Sequence, residues 1–321
     1  MKNFKNIFII LILIFFVIEI LTTSDAIIAS VKFSFDLWIN NVFPSLFPFF
    51  VISELLIYYG FVELIGEFLK PFMKIFKSSS NSAFILIMSI ISGTPSSAKN
   101  ICNMHKEKLI TKEEATKILM FTFFPNPLFV LGPLALQFLN NKTAGIIILI
   151  SCYLSNILIG IIFRNFNPSY NKDKINFKNA LTKINNKRIS NNFGKIITNS
   201  LVSSINTLLL ILGVITFANV ITTIIDKNIN LNNYYQSILN GFIEMTQGLK
   251  HISILEIPLK LKTTLSGMII SFGGISTHLQ IISILSDTDI KYFPFLVSRI
   301  LQTVLSILFI YFTFDFWINL L

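Results

Sequence analysis

The chain has 321 residues, of which 53% are hydrophobic, 33 are phenylalanines and only 13% are charged. Soluble domains carry roughly 25% charged residues, so a water-soluble fold is excluded and an all-α polytopic membrane protein is expected. The net charge of +10 fits basic loops retained in the cytoplasm. Nucleic-acid binding is excluded, because no basic helix or aromatic RNA-binding signature accompanies that charge.

Residues 1–22 imitate a signal peptide, with Lys2 and Lys5 ahead of the apolar run 7–18. Glu19 closes that run without a clean small-x-small cleavage site, so a retained first helix is expected. Residues 25–41 are amphipathic and are expected to lie in the interface. A span at 43–59 opens with Pro44 and Pro48 and carries Glu54. Residues 61–77 space Glu63, Glu67, Lys70, Lys74 and Lys77 among apolar residues, as a second interfacial helix does.

The next stretch, 81–105, places the polar, helix-breaking sequence from Ser92 to Asn100 after a short apolar run. Thr111 then caps a helix with Glu113 and Glu114 in its first turn. Phe124-Pro125-Asn126-Pro127 breaks that helix, and Gly132-Pro133 disturbs it again. Lipid cannot satisfy the freed carbonyls, so protein or a water-filled cavity must surround the break. A span at 143–163 follows.

Residues 164–195 hold eight basic residues against one acid, Asp173, and too few aliphatic residues to form a core. They are expected to form a cytoplasmic linker between a membrane half at 1–163 and another at 196–321. The second half offers a span at 196–225, a segment 234–254 carrying Glu244, a second interrupted stretch at 263–285, and a last span at 293–317.

The two interrupted stretches share a layout. Placing Gly93 on Gly274 puts Pro95 on Ser276, Ser96 on Thr277 and Lys99 on Gln280. Ile118-Leu119 then meets Ile300-Leu301 after one residue of slippage. The apolar run 83–91 has nine residues, less than half of a ~30 Å core at ~1.5 Å each. Re-entrant hairpins at 81–105 and 263–285 in an internal repeat are therefore expected. Their tips would aim helix N-termini, hydroxyls and turn glycines into a cavity.

The candidate substrate-binding residues are Gly93, Thr94, Pro95, Ser96, Ser97 and Lys99 at the first tip and Asn126 at the proline break. Glu244, Thr246 and Gln247 come from the middle segment, and Gly273, Gly274, Ser276, Thr277, His278 and Gln280 from the second tip. An ionisable group in an apolar segment points to function, which singles out Glu244 and, less directly, Glu54. Lys99 either faces the cavity as a cation for an anionic substrate or snorkels to the interface. His278 either donates to an anion or packs neutral. No nucleotide loop, nucleophile motif, metal cluster or cofactor signature is present, so the expectation is a protein that is not an enzyme and has no catalytic residue, metal or cofactor.

If 234–254 lies in the interface, the second hairpin enters from the face opposite the first. His105 and Ser286 would then lie on opposite sides of the membrane. If it spans, both hairpins enter from the cytoplasm. Inversion is the favoured reading, because alternating access needs related gates on opposite faces.

The stretches FPSLFPFFVIS (43–53), SGTPSSAKNICNMHKEKLITKEEATKIL (92–119), EMTQGLK (244–250) and SFGGISTHLQIISIL (271–285) resemble the sporulation integral membrane protein family. That family belongs to the nucleoside-recognition, or Gate, superfamily, and the resemblance covers nearly the whole chain. It implies a multi-pass protein of the cell membrane or outer forespore membrane of a spore-forming bacterium, moving dipicolinic acid late in sporulation. The superfamily in turn is similar to concentrative nucleoside transporters. Family members often carry Gly-Tyr-Pro where this chain has Gly93-Thr94-Pro95, and EMTNG where it has Glu244-Met-Thr-Gln247-Gly. A non-transporting scaffold or sensor, or a nucleoside transporter, is the alternative. The partners expected are the bilayer and a small molecule. A coupling proton or sodium ion, and an oligomer, are left open.

Overall fold

A computed structural model describes residues 2–169, 182 and 193–320, and every regular element among them is helical. Most of the linker expected at 164–195 lies outside the described residues. Five segments among them are long and apolar enough to cross a membrane: Ser24–Tyr58, Lys142–Ile162, Phe193–Asn228, Leu259–Leu285 and Phe293–Leu320.

Helix α1 (Lys2–Thr22) precedes α2 (Ser24–Leu37), which continues through a π-helical turn (Trp38–Val42) into α3 (Phe43–Tyr58). The expected division between an interfacial helix at 25–41 and a separate span at 43–59 is thereby corrected. Pro44 lies in the first turn of α3, and the wide π turn before it relieves the clash a proline ring makes with the preceding turn. The chain therefore runs on instead of breaking. Helix α4 (Phe61–Met73) is amphipathic as expected and buries Val62, Gly66 and Met73.

Helices α5 (Ser82–Ser92) and α6 (Ser96–Lys106) pack on one another. Helix α7 (Lys112–Phe121), capped by the Thr111 hydroxyl, ends before the proline break, beyond which α8 (Pro127–Phe129) passes into a second π-helical stretch (Val130–Phe138). Helix α9 (Lys142–Ile162) closes the first half. The second half contains α10 (Phe193–Asn228), α11 (Asn233–Ile243), α12 (Met245–Ile254), α13 (Leu259–Phe272), α14 (Gly274–Leu285) and α15 (Phe293–Leu320).

The hairpin expected at 263–285 is not what these helices form. Helix α13 packs on α9, α12 and α15, whereas α14 packs on α6, α10 and α11. Gly273 and Gly274, with φ of +91° and +71°, redirect the chain without folding one arm back along the other. The helices that do fold back are α11 and α12, so closely that a side chain at Gly248 would strike the backbone of Gly241. The turn after α14 also returns to the end of α6, where His105 Nε2 lies 3.0 Å from Asp289 Oδ1. His105 and Ser286 therefore sit at one end of the molecule, not at opposite ends, because 259–285 runs through rather than returning.

A different correspondence between the halves results. Each has a pair of short helices packed together (α5–α6, α11–α12), then a broken segment (α7–α8, α13–α14), then a long helix (α9, α15). Helices α9 and α15 pack centrally, and α7 and α13 each lie against both.

Candidate functional site

The proline break in the first half frees main-chain carbonyls, and three around it find donors outside the helix. The Met120 carbonyl accepts from Arg299, the Phe123 carbonyl from Asn156 Nδ2 at 2.6 Å, and the Phe124 carbonyl from the Thr94 amide at 3.0 Å. Asn126 accepts at Oδ1 from the amides of Leu128 (2.8 Å) and Phe129 (3.3 Å), and donates from Nδ2 to the Ser92 carbonyl at 3.1 Å. The turn between α5 and α6 is thus docked onto the break between α7 and α8. Gly93 makes the approach feasible: its φ of +72° and ψ of −166° belong to a region open essentially only to glycine.

The second half repeats the docking with different residues. Glu244 is extended (φ −140°, ψ 116°) between α11 and α12. Its Oε2 accepts from the amides of Thr246 (2.7 Å) and Gln247 (3.0 Å) and from the Thr246 hydroxyl. A carboxyl oxygen at this position satisfies amides that the start of a helix leaves free. This tip lies on the break between α13 and α14: a Cβ at Gly274 would stand 3.1 Å from the Gly241 carbonyl oxygen and 3.2 Å from the Met245 amide.

Both tips and both breaks meet at one cavity of about 70 Å³. Thr94, Pro95, Asn126, Glu244, Thr246, Thr277 and Gln280, all expected in the site, line it. Asn41 and Ser45, from the π turn and the start of α3, complete the polar wall, and Phe123, Ile211 and Ile215 form much of the apolar one.

Other expected residues stand outside the cavity wall. Lys99 neither faces the cavity nor snorkels. It is buried, with Nζ 2.9 Å from Glu54 Oε1 and 3.3 Å from Ser204 Oγ, over the ring of Phe50. His278 packs among Phe272, Tyr292 and Phe295. Its Nε2 is 3.1 Å from the Phe272 carbonyl and its Nδ1 2.7 Å from the Tyr292 hydroxyl, which a neutral ring satisfies by donating once and accepting once. Ser96 accepts from the Ser92 hydroxyl at 2.7 Å. Ser97, Ser276 and Gln247 are buried nearby, and Gly273 leaves room for the ring of Phe123.

Arg299 escaped the sequence reading. It is fully buried in α15, lies over the rings of Phe123 and Phe295, and bonds to Gln302 and to Asn156 Oδ1 at 3.3 Å besides Met120. A lone arginine within an apolar run was the available signal, since such residues pair with backbone carbonyls or mark a pathway. Asn41 gave a weaker one, because its exposure to the cavity depends on the π turn.

This is a multi-pass helical membrane protein, and its residues 39–142 match the Gate family, described as nucleoside recognition. The chain is 31% identical to the sporulation integral membrane protein YlbJ of Bacillus subtilis (strain 168) over 325 aligned positions, covering 92% of this chain and 80% of YlbJ. It belongs to that family of sporulation integral membrane proteins. No solved structure matches it.

Proposed function

We propose that the protein is a transporter of a small polar anion, dipicolinate by family resemblance, and that α5–α6 and α11–α12 are its re-entrant hairpins. The observation that carries this reading is the convergence of both hairpin tips and both helix breaks on one cavity. Paired broken segments in corresponding halves are the best pointer to a transporter's binding site. In this reading α2–α3, α7–α8, α9, α10, α13–α14 and α15 span, and the hairpins do not. The single crossing of α10 between the halves then brings the second hairpin in from the opposite face. The repeat is inverted, but it pairs 81–105 with 233–254 rather than with 263–285.

The cavity of about 70 Å³ is far smaller than the roughly 300–1,000 Å³ of organic-ligand sites, so loading requires a hairpin to move. Glu244 in its wall imposes a second requirement. A dianion shares a small cavity with a carboxylate only when a proton or a bound cation offsets their like charges, which is the part a coupling proton or sodium ion would play.

The test is dipicolinate accumulation in spores of a strain lacking the protein, complemented by wild type or by Asn126→Ala or Glu244→Gln at matched membrane abundance. Restored accumulation with wild type and loss with both variants is expected. Undiminished accumulation with both would remove the cavity from the transport path.

A further inference from the structure

We infer that Glu54 and Asp226 are positioning residues that fasten the two hairpins closed, one at each face of the membrane; their use as gates rests on the transporter reading above. Each carboxylate gathers donors from one hairpin. Glu54 on α3 receives Lys99 Nζ at 2.9 Å and Asn103 Nδ2 at 3.2 Å from α6, and the Ser203 hydroxyl at 2.7 Å from α10. Asp226 on α10 receives Asn240 Nδ2 at 2.9 Å and Gln236 Nε2 from α11, and lies 3.7 Å from His251 Nε2 on α12. In both places a basic side chain on the second arm of a hairpin meets an acid on a long helix.

Helix α10 fixes the separation of the two ties. Ser203 and Asp226 are 23 positions apart on one continuous helix, about 35 Å along its axis at ~1.5 Å per residue. That exceeds the ~30 Å thickness of the hydrocarbon core, so the ties belong to opposite faces. Ile211 and Ile215, which α10 contributes to the cavity wall, lie between them.

The chemistry suits a gate better than an apolar clamp would. Burying a charged carboxylate with its donors sacrifices nearly as much hydration as the bonds return. A hairpin that swings outward rehydrates the carboxylate and its donors, so the tie holds the closed state by a small margin that the loss of one partner reverses. An apolar contact of similar size would hold one state alone. The Glu54 tie is also next to water's route inward: a cavity of about 180 Å³ lined by Glu54, Asn103, Lys106 and Ser203 lies over it.

The experiment needs no substrate. A single cysteine at Thr94, in a background with Cys102 and Cys152 replaced by alanine, is labelled by an impermeant thiol reagent in sealed vesicles of each orientation. A closed gate opens for ~0.1–10% of the time when its minor state is typical, which leaves room for an acceleration of about ten- to a thousandfold, so unfastening is expected to speed labelling several-fold or more. Glu54→Gln should do so from the face bearing Lys106, and Asp226→Asn from the other face. Should either single variant fail to accumulate because a basic partner is stranded, Asn103→Ala with Ser203→Ala, and Asn240→Ala, which keep each acid with its basic partner but remove the donors that complete its bonding, replace it with the same expectation. Acceleration from one common face, or unchanged labelling in inserted variants, would overturn the inference. Face-specific acceleration without any dipicolinate flux in wild type would uphold the fastenings and refute the substrate assignment.

Discussion

Gly93 and Asn126 pack so closely that a Cβ on the glycine would stand 2.5 Å from both the Cα and the amide nitrogen of the asparagine. The contact joins the tip of one hairpin to the break of the adjacent segment, and it tolerates no side chain. Gly93→Ala is expected to cost about 1–3 kcal/mol in backbone strain alone and to push the tip off the break. Dipicolinate accumulation should fall to near that of the deletion strain while the protein still inserts. Gly213→Ala, where nothing lies within 4 Å of the new Cβ, is the control and should behave as wild type. Equal activity of the two variants would show that the tip contact is dispensable.

Arg299 is expected to matter first to folding. Arg299→Leu leaves the Met120 carbonyl, freed by the proline break, without its donor, at a cost of about 1–3 kcal/mol for an unsatisfied buried group. A lower melting temperature in detergent, partly recovered in Arg299→Lys, is the expected result. A leucine variant as stable as wild type would show that the carbonyl finds another partner.

Sidedness gives a prediction of a different kind. Single cysteines at His105 and Ser286 should be labelled from the same face, since the Asp289 turn touches His105. A cysteine at Lys260, whose Nζ pairs with Asp315 near the end of α15 at 2.6 Å, should be labelled from the other. Labelling of 105 and 286 from different faces would contradict the through-running course of 259–285.

Asp289 itself ties that turn down. The hydrogen bond from His105 holds its carboxyl below the usual carboxylate range, with Lys112 at 3.3 Å adding to the effect. A carboxylate whose folded pKa is depressed contributes stability above its unfolded value, near 3.8, and loses it as pH falls through the lower folded value. Asp289→Asn should therefore melt slightly below wild type at neutral pH, with the difference vanishing only in strong acid. The effect is small because the pair is exposed. A difference that grows on acidification would reverse the assignment.

Most of the chain's helices were legible because hydrophobic runs, prolines and the Thr111 cap act locally. Gly93, the Pro125–Pro127 break and Glu244 were legible as anomalies in apolar surroundings. What the sequence concealed was partnership. Both Gly273-Gly274 and the Glu244 tip interrupt apolar runs, and nothing local says which interruption folds back on itself. That is decided by Gly241 and Gly248, which let α11 and α12 touch. Lys99 carries the same lesson: a lysine near a polar tip reads as a ligand until Glu54, 45 residues earlier in the chain, is seen to neutralise it.

The π turn at Trp38–Val42 makes this region tolerant of a lost residue in one place and unforgiving just beyond it. A π turn holds one residue more than the α-helical turn it replaces, so deleting one of residues 38–42 would restore a plain α turn and leave Ser45 facing the cavity and Glu54 facing Lys99. Each residue of an α-helix advances the next by about 100°, so deleting one residue between Ser45 and Glu54 would rotate everything beyond it by roughly that angle. Glu54 would then turn from Lys99 in a single step, with no substitution at either position. The short connection at 229–232 between α10 and α11 carries no such phase, so a residue gained or lost there is absorbed by the loop.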